Sequence, residues 1–280
     1  MQTMQPAIRI RDRYEILLMG SCSLDSLESK YDSSDVPILS REQMEELQRI
    51  VRCRLATGQR IDLLPDGQTP PLYRLRNYLV TPDKGLFLDL GRTTFGEYLL
   101  TNVQHPEWRQ MYGDVVMSDA LAISAAVVTS DRFIFWGRRS RATADGRSDY
   151  HILPSGHPQP PESIVDSLYQ ELVAETGITR NEVMCAICTG LIRTLWNGKP
   201  ELTFHLESSV PFKNALERPR SESWEFDQIS GIAWAPEKVS EWLQEYVQVV
   251  APPGHAAVLL AGKNAFGDDW YRSTVRDLLP

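Results

Sequence analysis

The clearest periodic pattern of the chain lies in residues 153–178. Apolar residues there recur at the spacing of about 3.6 residues that marks one face of a helix. These residues are Ile164, Val165, Leu168, Leu172 and Val173. Pro160-Pro161 precedes the pattern and Gly177 follows it, as is typical of the two ends of a helix. The sequence therefore predicts an amphipathic helix that buries this face and ends at Gly177.

Two glutamates lie at the edge of the apolar face. At about 100° per residue, Glu171 and Glu175 are about 40° apart around the helix, on the rim of the face rather than on its solvated side. Carboxylates one turn apart repel each other, and no lysine or arginine stands between these two. A hard divalent cation is the simplest explanation of the pair.

Alternating apolar residues and turn signals predict the remaining elements. Ser40 and Gln43 form a capping box, from which a helical pattern continues to Gly58. Strands are predicted over residues 8–19, 72–80, 86–90, 120–129, 132–139, 184–195, 201–210 and 231–234. Further helices are predicted over residues 93–100, 236–247, 253–261 and 268–279. We place a domain boundary near Tyr112-Gly113, because the preceding residues contain enough elements for a small α/β domain.

Composition restricts the classes of function. The 280 residues are 42% hydrophobic, which is sufficient for a buried core. A formal net charge of −8 argues against general binding to nucleic acid, which requires a basic surface. The four cysteines are too few and too scattered for a disulfide framework, and no apolar run is long enough to cross a bilayer. We expect a cytoplasmic protein that binds neither nucleic acid nor membrane.

The predicted helix lies within a longer motif that resembles the Nudix box. The matching positions are Gly156, Glu162, Gln170-Glu171-Leu172, Ala174-Glu175 and Gly177-Ile178. Two positions depart from that pattern, because Gln170 stands where the family has arginine and Ala174 where it has the first glutamate of a pair. Residues outside the box are similar to an atypical Nudix branch, the vertebrate UDP-glucose and UDP-galactose diphosphatases. They include Thr94-Phe95, Tyr98, Thr101-Asn102, Tyr112-Gly113-Asp114, Arg138-Arg139-Ser140 and Gly156-His157-Pro158.

The resemblance implies a fold and a metal site. The fold is an α/β/α sandwich with a mixed sheet over residues 113–280, preceded by a small N-terminal α/β domain over residues 1–112. The cofactor is magnesium, for which manganese can substitute. Carried over position by position, Glu171 and Glu175 are metal ligands, the Gly156 region adds a backbone oxygen, and Glu162 supports the loop. The alanine at 174 removes one charge from this group of ligands.

A further carboxylate is expected from a later loop, either as a ligand or as the base that activates water. The acidic residues Glu222, Glu225 and Asp227 precede the strand predicted at Gly231. Counting back from that strand, we favour Glu225. Glu171, Glu175 and Glu225 are therefore the predicted catalytic residues of a metal-assisted hydrolysis, in which cations neutralise the charge that develops on a diphosphate.

Four residues are candidates for substrate binding. Neighbouring residues of a strand point to opposite faces of the sheet, so only one of Arg138 and Arg139 can reach the site, and we favour Arg139 as a phosphate ligand. His157 occupies a rigid loop beside the expected metal. Tyr98 and Asn102 match the pattern of the branch and are candidates for contact with a base or sugar.

The resemblance therefore predicts a magnesium-dependent diphosphatase. Its expected substrate is a small nucleotide sugar, UDP-glucose or UDP-galactose, and its products are UMP and a sugar 1-phosphate. One alternative keeps the chemistry and changes the substrate to an ADP-sugar, a dinucleotide or coenzyme A. Another takes Gln170 and Ala174 as signs of a Nudix module that binds a nucleotide sugar without cleaving it.

Overall fold

The computed structural model describes residues 8–145 and 150–279. Its strands are β1 (Ile8–Ile10), β2 (Tyr14–Ser23), β3 (Leu27–Tyr31), β4 (Pro71–Val80), β5 (Leu86–Thr94), β6 (Ala122–Val128), β7 (Phe133–Arg139), β8 (Tyr150–Ile152), β9 (Ser155–Gly156), β10 (Val183–Thr194), β11 (Pro200–Ser208) and β12 (Phe226–Ala233). Its α-helices are α1 (Arg41–Ala56), α2 (Phe95–Tyr98), α3 (Trp108–Tyr112), α4 (Ile164–Thr176), α5 (Phe212–Leu216), α6 (Pro236–Glu245), α7 (Pro252–Phe266) and α8 (Asp268–Leu278). None of these helices combines the length and the apolarity that crossing a membrane requires.

The larger of two sheets forms the middle layer of the molecule. Its order is β1-β2-β10-β11-β6-β7-β12, with β8 beside β7 and β9 beside β6. Strands β6 and β11 run parallel, whereas β10 is antiparallel to both β2 and β11, so the sheet is mixed. The long crossover from β6 to β11 contains α4, as a parallel pair requires.

Helices cover both faces of this sheet. Along β6, Ile123, Ala125 and Val127 pack into the same apolar core as α4, while Ala126 and Val128 pack into the core formed by α6, α7 and α8. This alternation is the two-residue period of a strand that is buried on both faces. The α/β/α sandwich with a mixed sheet is therefore confirmed.

The N-terminal part of the chain is joined to the sandwich by hydrogen bonds and by packing. Strand β2 pairs with β10 over most of its length, so residues 8–23 belong to the larger sheet rather than to a separate domain. Strands β3, β5 and β4 form a second sheet, whose Leu75, Leu88 and Leu90 enter the same core as Leu168 of α4. The division between residues 1–112 and 113–280 stays a prediction, and the pairing of β2 with β10 crosses it.

Most predicted elements are present, although several differ in their bounds. The capping box is confirmed, because the Ser40 hydroxyl accepts a hydrogen bond from the Gln43 N–H and the Gln43 side chain accepts one from the Ser40 N–H. The single strand predicted over residues 8–19 is a hairpin instead, which turns at Arg11 with a positive φ of 49°. The strand predicted to begin at Gly231 begins at Phe226, because pairing with β7 extends it through a charged segment that has no apolar alternation.

Candidate active site

Helix α4 places two glutamates against the edge of the larger sheet. Its first turn is capped by Ser163, whose hydroxyl accepts a hydrogen bond from the Asp166 N–H at 3.0 Å, and it ends at Gly177 with a φ of 72°. Only part of the predicted apolar face is buried, because Val173 is 42% exposed. Glu175 is 1% exposed and therefore belongs to the buried face rather than to its rim.

The short strand β9 receives both carboxylates. The Ser155 N–H donates to Glu175 Oε1 at 3.3 Å. A Cβ atom at Gly156 would collide with the Glu171 carboxylate, so glycine is the residue that allows this close approach. The backbone pairing of Gly156 with Ile123 of β6 fixes this segment. The role of Gly156 as a backbone ligand stays a prediction.

A third carboxylate comes from the loop before β12. The Glu222 N–H donates to the carbonyl oxygen of Ala174 at 3.2 Å, which attaches this loop to α4. Carboxylate oxygens of Glu171, Glu175 and Glu222 lie within 4.8 Å of one another. We call these three residues the carboxylate cluster. Among the acidic residues of this loop, Glu222 completes the group, because the docking of the loop turns it towards α4. The predicted role of Glu225 as a ligand or as the base that activates water stays a prediction.

Burial and mutual repulsion raise the pKa values of Glu171, Glu175 and the neighbouring Glu225. Burial raises the pKa of Glu175 well above its ordinary value, and the charges of Glu225 and Glu171 raise it further. Burial likewise raises the pKa of Glu171, together with the charges of Glu222 and Glu225. Burial and the neighbouring Glu222 raise the pKa of Glu225 to about 7, against the opposing effect of Arg139.

These carboxylates fit a divalent cation. Glu175 Oε2 is buried and has no hydrogen-bond partner among the described residues. Buried carboxylates that repel one another are stabilised when a cation is bound between them, and hard cations such as magnesium and manganese take oxygen ligands of this kind. Glu171, Glu175 and Glu222 are the residues that would hold such an ion.

Arg139 lies beside the carboxylate cluster, at the end of β7. Its Nη2 atom is 4.0 Å from Glu225 Oε2, and its Nε atom is buried without a hydrogen-bond partner among the described residues. Arg138 is exposed on the opposite face. This placement agrees with the strand argument that favoured Arg139, although its contact with a phosphate stays a prediction.

A second group of charged residues lies deeper in the same cavity. Lys199 Nζ is 3.2 Å from Glu201 Oε2 and 3.5 Å from Asp145 Oδ2. We call Arg139, Asp145, His157, Lys199 and Glu201 the inner polar cluster. Sequence reasoning missed Asp145, Lys199 and Glu201. One signal for Glu201 was present, because it is a charged residue at the start of an otherwise buried strand. Contacts with Lys199 and Ser124 offset the cost of burying its carboxylate.

The other predicted substrate ligands have different outcomes. His157 lines the cavity, and burial lowers its pKa to about 3, so its ring is neutral. Tyr98 is fully buried, and its hydroxyl donates to Asp145 at 2.8 Å, which makes it a support for Asp145. Asn102 is fully buried. Its side-chain NH₂ group donates to the Asp119 carboxylate and to the Asn197 carbonyl oxygen, and its side-chain oxygen accepts a hydrogen bond from the Asp119 N–H. The substrate contact of Asn102 stays a prediction, and these hydrogen bonds do not support it.

Both clusters open into one cavity of about 410 Å³. The N-terminal part of the chain contributes one wall, which includes Pro70, Leu72 and Phe95. At another part of the lining, the Arg60 guanidinium lies 4.6 Å from the centre of the Trp224 ring. The cavity is of the size that a small-molecule site requires. It is built jointly by the segments on either side of the predicted domain boundary.

Comparisons with known proteins agree with the motif. No protein-family profile matches the chain. The uridine diphosphate glucose pyrophosphatase NUDT22 of Mus musculus is 22% identical over 228 residues, which are 69% of this chain and 73% of that protein. The human NUDT22 is 31% identical over 102 residues, which are 32% of this chain and 33% of that protein.

Among solved structures, a Nudix hydrolase from Nitrosomonas europaea matches 52% of this chain and 89% of its own, with 17% identity and a TM-score of 0.37. An Ap4A hydrolase of C. elegans matches 52% of this chain and 96% of its own, with 15% identity and a TM-score of 0.35. Scores this low carry no argument of their own. The box, the sandwich and the two curated relatives are the observations that matter.

Proposed function

We propose, from the premise that this chain is a Nudix hydrolase near the NUDT22 branch, that it is a magnesium-dependent diphosphatase of nucleotide sugars. The proposed substrate is UDP-glucose or UDP-galactose, and the products are UMP and a sugar 1-phosphate. The observation that carries the chemistry is the buried carboxylate cluster in the wall of the cavity. The choice of a uridine nucleotide rests on the names of the two curated relatives and on the branch motifs.

A divalent cation held by Glu171, Glu175 and Glu222 would supply positive charge that neutralises the diphosphate and stabilises the charge developing on it. The carboxylate cluster is in turn arranged to hold such an ion. Arg139 can bind a phosphate oxygen with its planar guanidinium and orient the scissile bond. The neutral His157 beside it adds no charge to this region.

Glu225 is the residue that we propose as proton acceptor. Its pKa of about 7 is close to neutral pH, where a carboxylate combines sufficient basicity with sufficient ionisation. The water oxygen forms a bond to phosphorus, one proton of the water passes to Glu225, and the bridging P–O bond breaks. The departing phosphate takes the electron pair of that bond.

The two departures from the box bear on the alternative of a module that binds without cleaving. Glu222 supplies a carboxylate from outside the box, next to the backbone of Ala174, and so restores the charge that the alanine removes. Gln170 is exposed on α4 and is not part of the cavity lining. These two observations favour a hydrolase.

A substrate panel tests the proposal. Full-length protein with Mg²⁺ is incubated with UDP-glucose, ADP-ribose or coenzyme A, and released phosphomonoesters are measured with added phosphatase. We expect turnover of UDP-glucose, giving equal amounts of UMP and glucose 1-phosphate. Preferred turnover of ADP-ribose or coenzyme A would replace UDP-glucose by that compound as the assigned substrate. Binding of UDP-glucose without turnover of any compound would favour the module that does not cleave.

A further inference from the structure

The residues of the inner polar cluster lie together at one end of the cavity. All five of its members line the cavity. Asp145 is held from behind by the Tyr98 hydroxyl, which itself accepts a hydrogen bond from the Asn197 amide at 3.1 Å. Two buried residues, Tyr98 of α2 and Asn197 of the turn after β10, therefore fix the position of this carboxylate. A group held this firmly is suited to selecting among ligands.

The charges of the inner polar cluster balance within it. Burial alone would raise the pKa of Asp145, but Lys199 and Arg139 outweigh burial and lower it to about 2. Burial alone would lower the pKa of Lys199, but Glu201 and Asp145 outweigh burial and raise it. Two cations thus face two carboxyl groups. A second phosphate would find no surplus positive charge there, whereas a neutral polar group would not disturb the balance.

Polar atoms of the cluster still lack partners. His157 Nε2 and Arg139 Nε are buried without a hydrogen bond among the described residues. A buried polar atom left without a partner is costly, so a ligand that supplies donors and acceptors is favoured. Lys199, which donates, lies between the carboxylates of Asp145 and Glu201, which accept. A hydroxyl group both donates and accepts, and a row of hydroxyls matches such a wall.

The position of Arg139 determines which part of a substrate reaches this end. Its guanidinium lies 4.0 Å from Glu225, and its charge lowers the pKa values of both Glu225 and Asp145. A phosphate bound at Arg139 would therefore lie between the two clusters. The group attached beyond that phosphate would meet Asp145, Lys199 and His157, with the ring of Phe95 5.8 Å from that of His157.

We propose that the inner polar cluster binds the hydroxyl groups of the hexose, with Asp145 and Lys199 as residues that determine specificity. This inference rests on the proposed function and adds to it, because it assigns a part of the substrate to a place in the cavity. It also predicts that the chain requires a polyhydroxylated group on the second phosphate. A substrate that lacks this group is cleaved poorly, even when its diphosphate bond is the same.

The test compares UDP-glucose with the β-methyl ester of UDP, which keeps the diphosphate and lacks the sugar. We expect the wild type to prefer UDP-glucose by at least about 100-fold in kcat/KM, as sites built to bond hydroxyls do. Asp145→Asn is expected to lower kcat/KM for UDP-glucose by roughly 10- to 100-fold and that for the methyl ester by less than about threefold. The matched control is Asp277→Asn, the same change at an exposed position of α8, which should alter neither value.

Equal losses on both compounds would show that Asp145 is merely structural, and an absence of preference in the wild type would overturn the proposal. If Asp145→Asn does not fold, His157→Phe serves instead, because it keeps the ring packing against Tyr98 and removes Nε2. We expect it to reduce the preference for UDP-glucose. If the wild type cleaves neither compound, the proposed function fails, and calorimetric binding of both compounds still tests the sugar preference separately.

Discussion

The two ends of the cavity contain similar numbers of buried charged side chains but differ in how these are compensated. In the carboxylate cluster, Glu171, Glu175 and Glu222 approach one another, and the nearby Arg139 is already shared with Glu225. In the inner polar cluster, Lys199 lies within 3.5 Å of two carboxylates. The pKa values of Glu171, Glu175 and Asp145 follow this difference, because the first two are raised and that of Asp145 is lowered to about 2, although burial also raises the pKa of Glu201 in the inner polar cluster.

The difference indicates what each end receives from outside. A buried group of like charges is stable only when protons or a cation compensate it. A balanced group needs no ion and instead offers its remaining donors and acceptors to a neutral ligand. In the proposed function, one cavity would thus provide both a place for a cation and a place for an uncharged group, and the diphosphate of the substrate would bridge them.

The largest expected effect comes from removing one charge of the carboxylate cluster, where like charges approach one another. Glu175→Gln keeps the shape of a side chain that is 1% exposed and removes a ligand. We expect hydrolysis to fall by more than the roughly 100-fold that loss of a supporting residue causes at metal sites. Initial rates of UDP-glucose cleavage at saturating Mg²⁺ provide the measurement.

The control for this variant is Glu241→Gln, the same chemical change on an exposed turn of α6, which should leave the rate unchanged. Because Glu175 repels its neighbours, the metal-free variant should also unfold at a temperature no lower than that of the wild type. Undiminished hydrolysis by Glu175→Gln would exclude the carboxylate cluster as the metal site.

A smaller effect is expected at the carboxylate supplied by the loop. Glu222→Gln should weaken Mn²⁺ binding, measured by calorimetry, by about 10- to 100-fold. Adding Ala174→Glu to that variant should restore part of the affinity. Position 174 lies one turn of α4 after Glu171, and a glutamate there places a carboxylate where the Nudix box has one. Unchanged affinity of Glu222→Gln would remove Glu222 from the site, whereas a loss without rescue would leave it as a ligand with a geometry of its own.

The smallest expected effect is on stability, whose pH dependence distinguishes the carboxylate cluster from the inner polar cluster. Groups whose pKa is raised on folding bind more protons when folded, so their stabilising contribution is lost as pH rises from the ordinary glutamate value of about 4.3. For Glu225 the loss extends to about pH 7, and it should amount to a few kcal/mol at most. Buried histidines whose pKa is lowered, such as His151 and His255, act in the opposite direction, because they stabilise the folded protein as pH rises towards about 6.5. The contribution of the glutamates is therefore measured in EDTA as the difference in melting temperature between Glu175→Gln and the wild type. This difference should grow in favour of the variant between about pH 4.5 and pH 7.5 and shrink when Mg²⁺ is added.

Asp145 provides the comparison. Its pKa of about 2 is lowered, so its contribution is present above its ordinary pKa and is lost only under more acidic conditions. Asp145→Asn should thus leave the pH dependence between about pH 4.5 and pH 7.5 unchanged, whereas Glu175→Gln should remove a contribution that lowers stability as pH rises. A metal-free Glu175→Gln variant with the same pH dependence as the wild type would contradict the raised pKa of Glu175.

What the sequence could predict depended on how far apart in the chain the interacting residues are. The helix of the box, its end at Gly177 and the alternation that turns Arg139 towards the cavity follow from neighbours in sequence. The choice between Glu222 and Glu225 depended on a hydrogen bond to Ala174, 48 positions away, for which no local pattern exists. The hydrogen bonds of Asn102 likewise could not be read from the sequence, because its partners Asp119 and Asn197 are distant in the chain.

The sequence by itself determined the sandwich and the two box glutamates, because periodic burial and the spacing of a 23-residue motif are local properties that survive in the chain order. The tertiary structure decided the third carboxylate, the inner polar cluster and the wall that the N-terminal part contributes. These features arise where separate loops and strands meet, and the burial that fixes their pKa values exists only after folding.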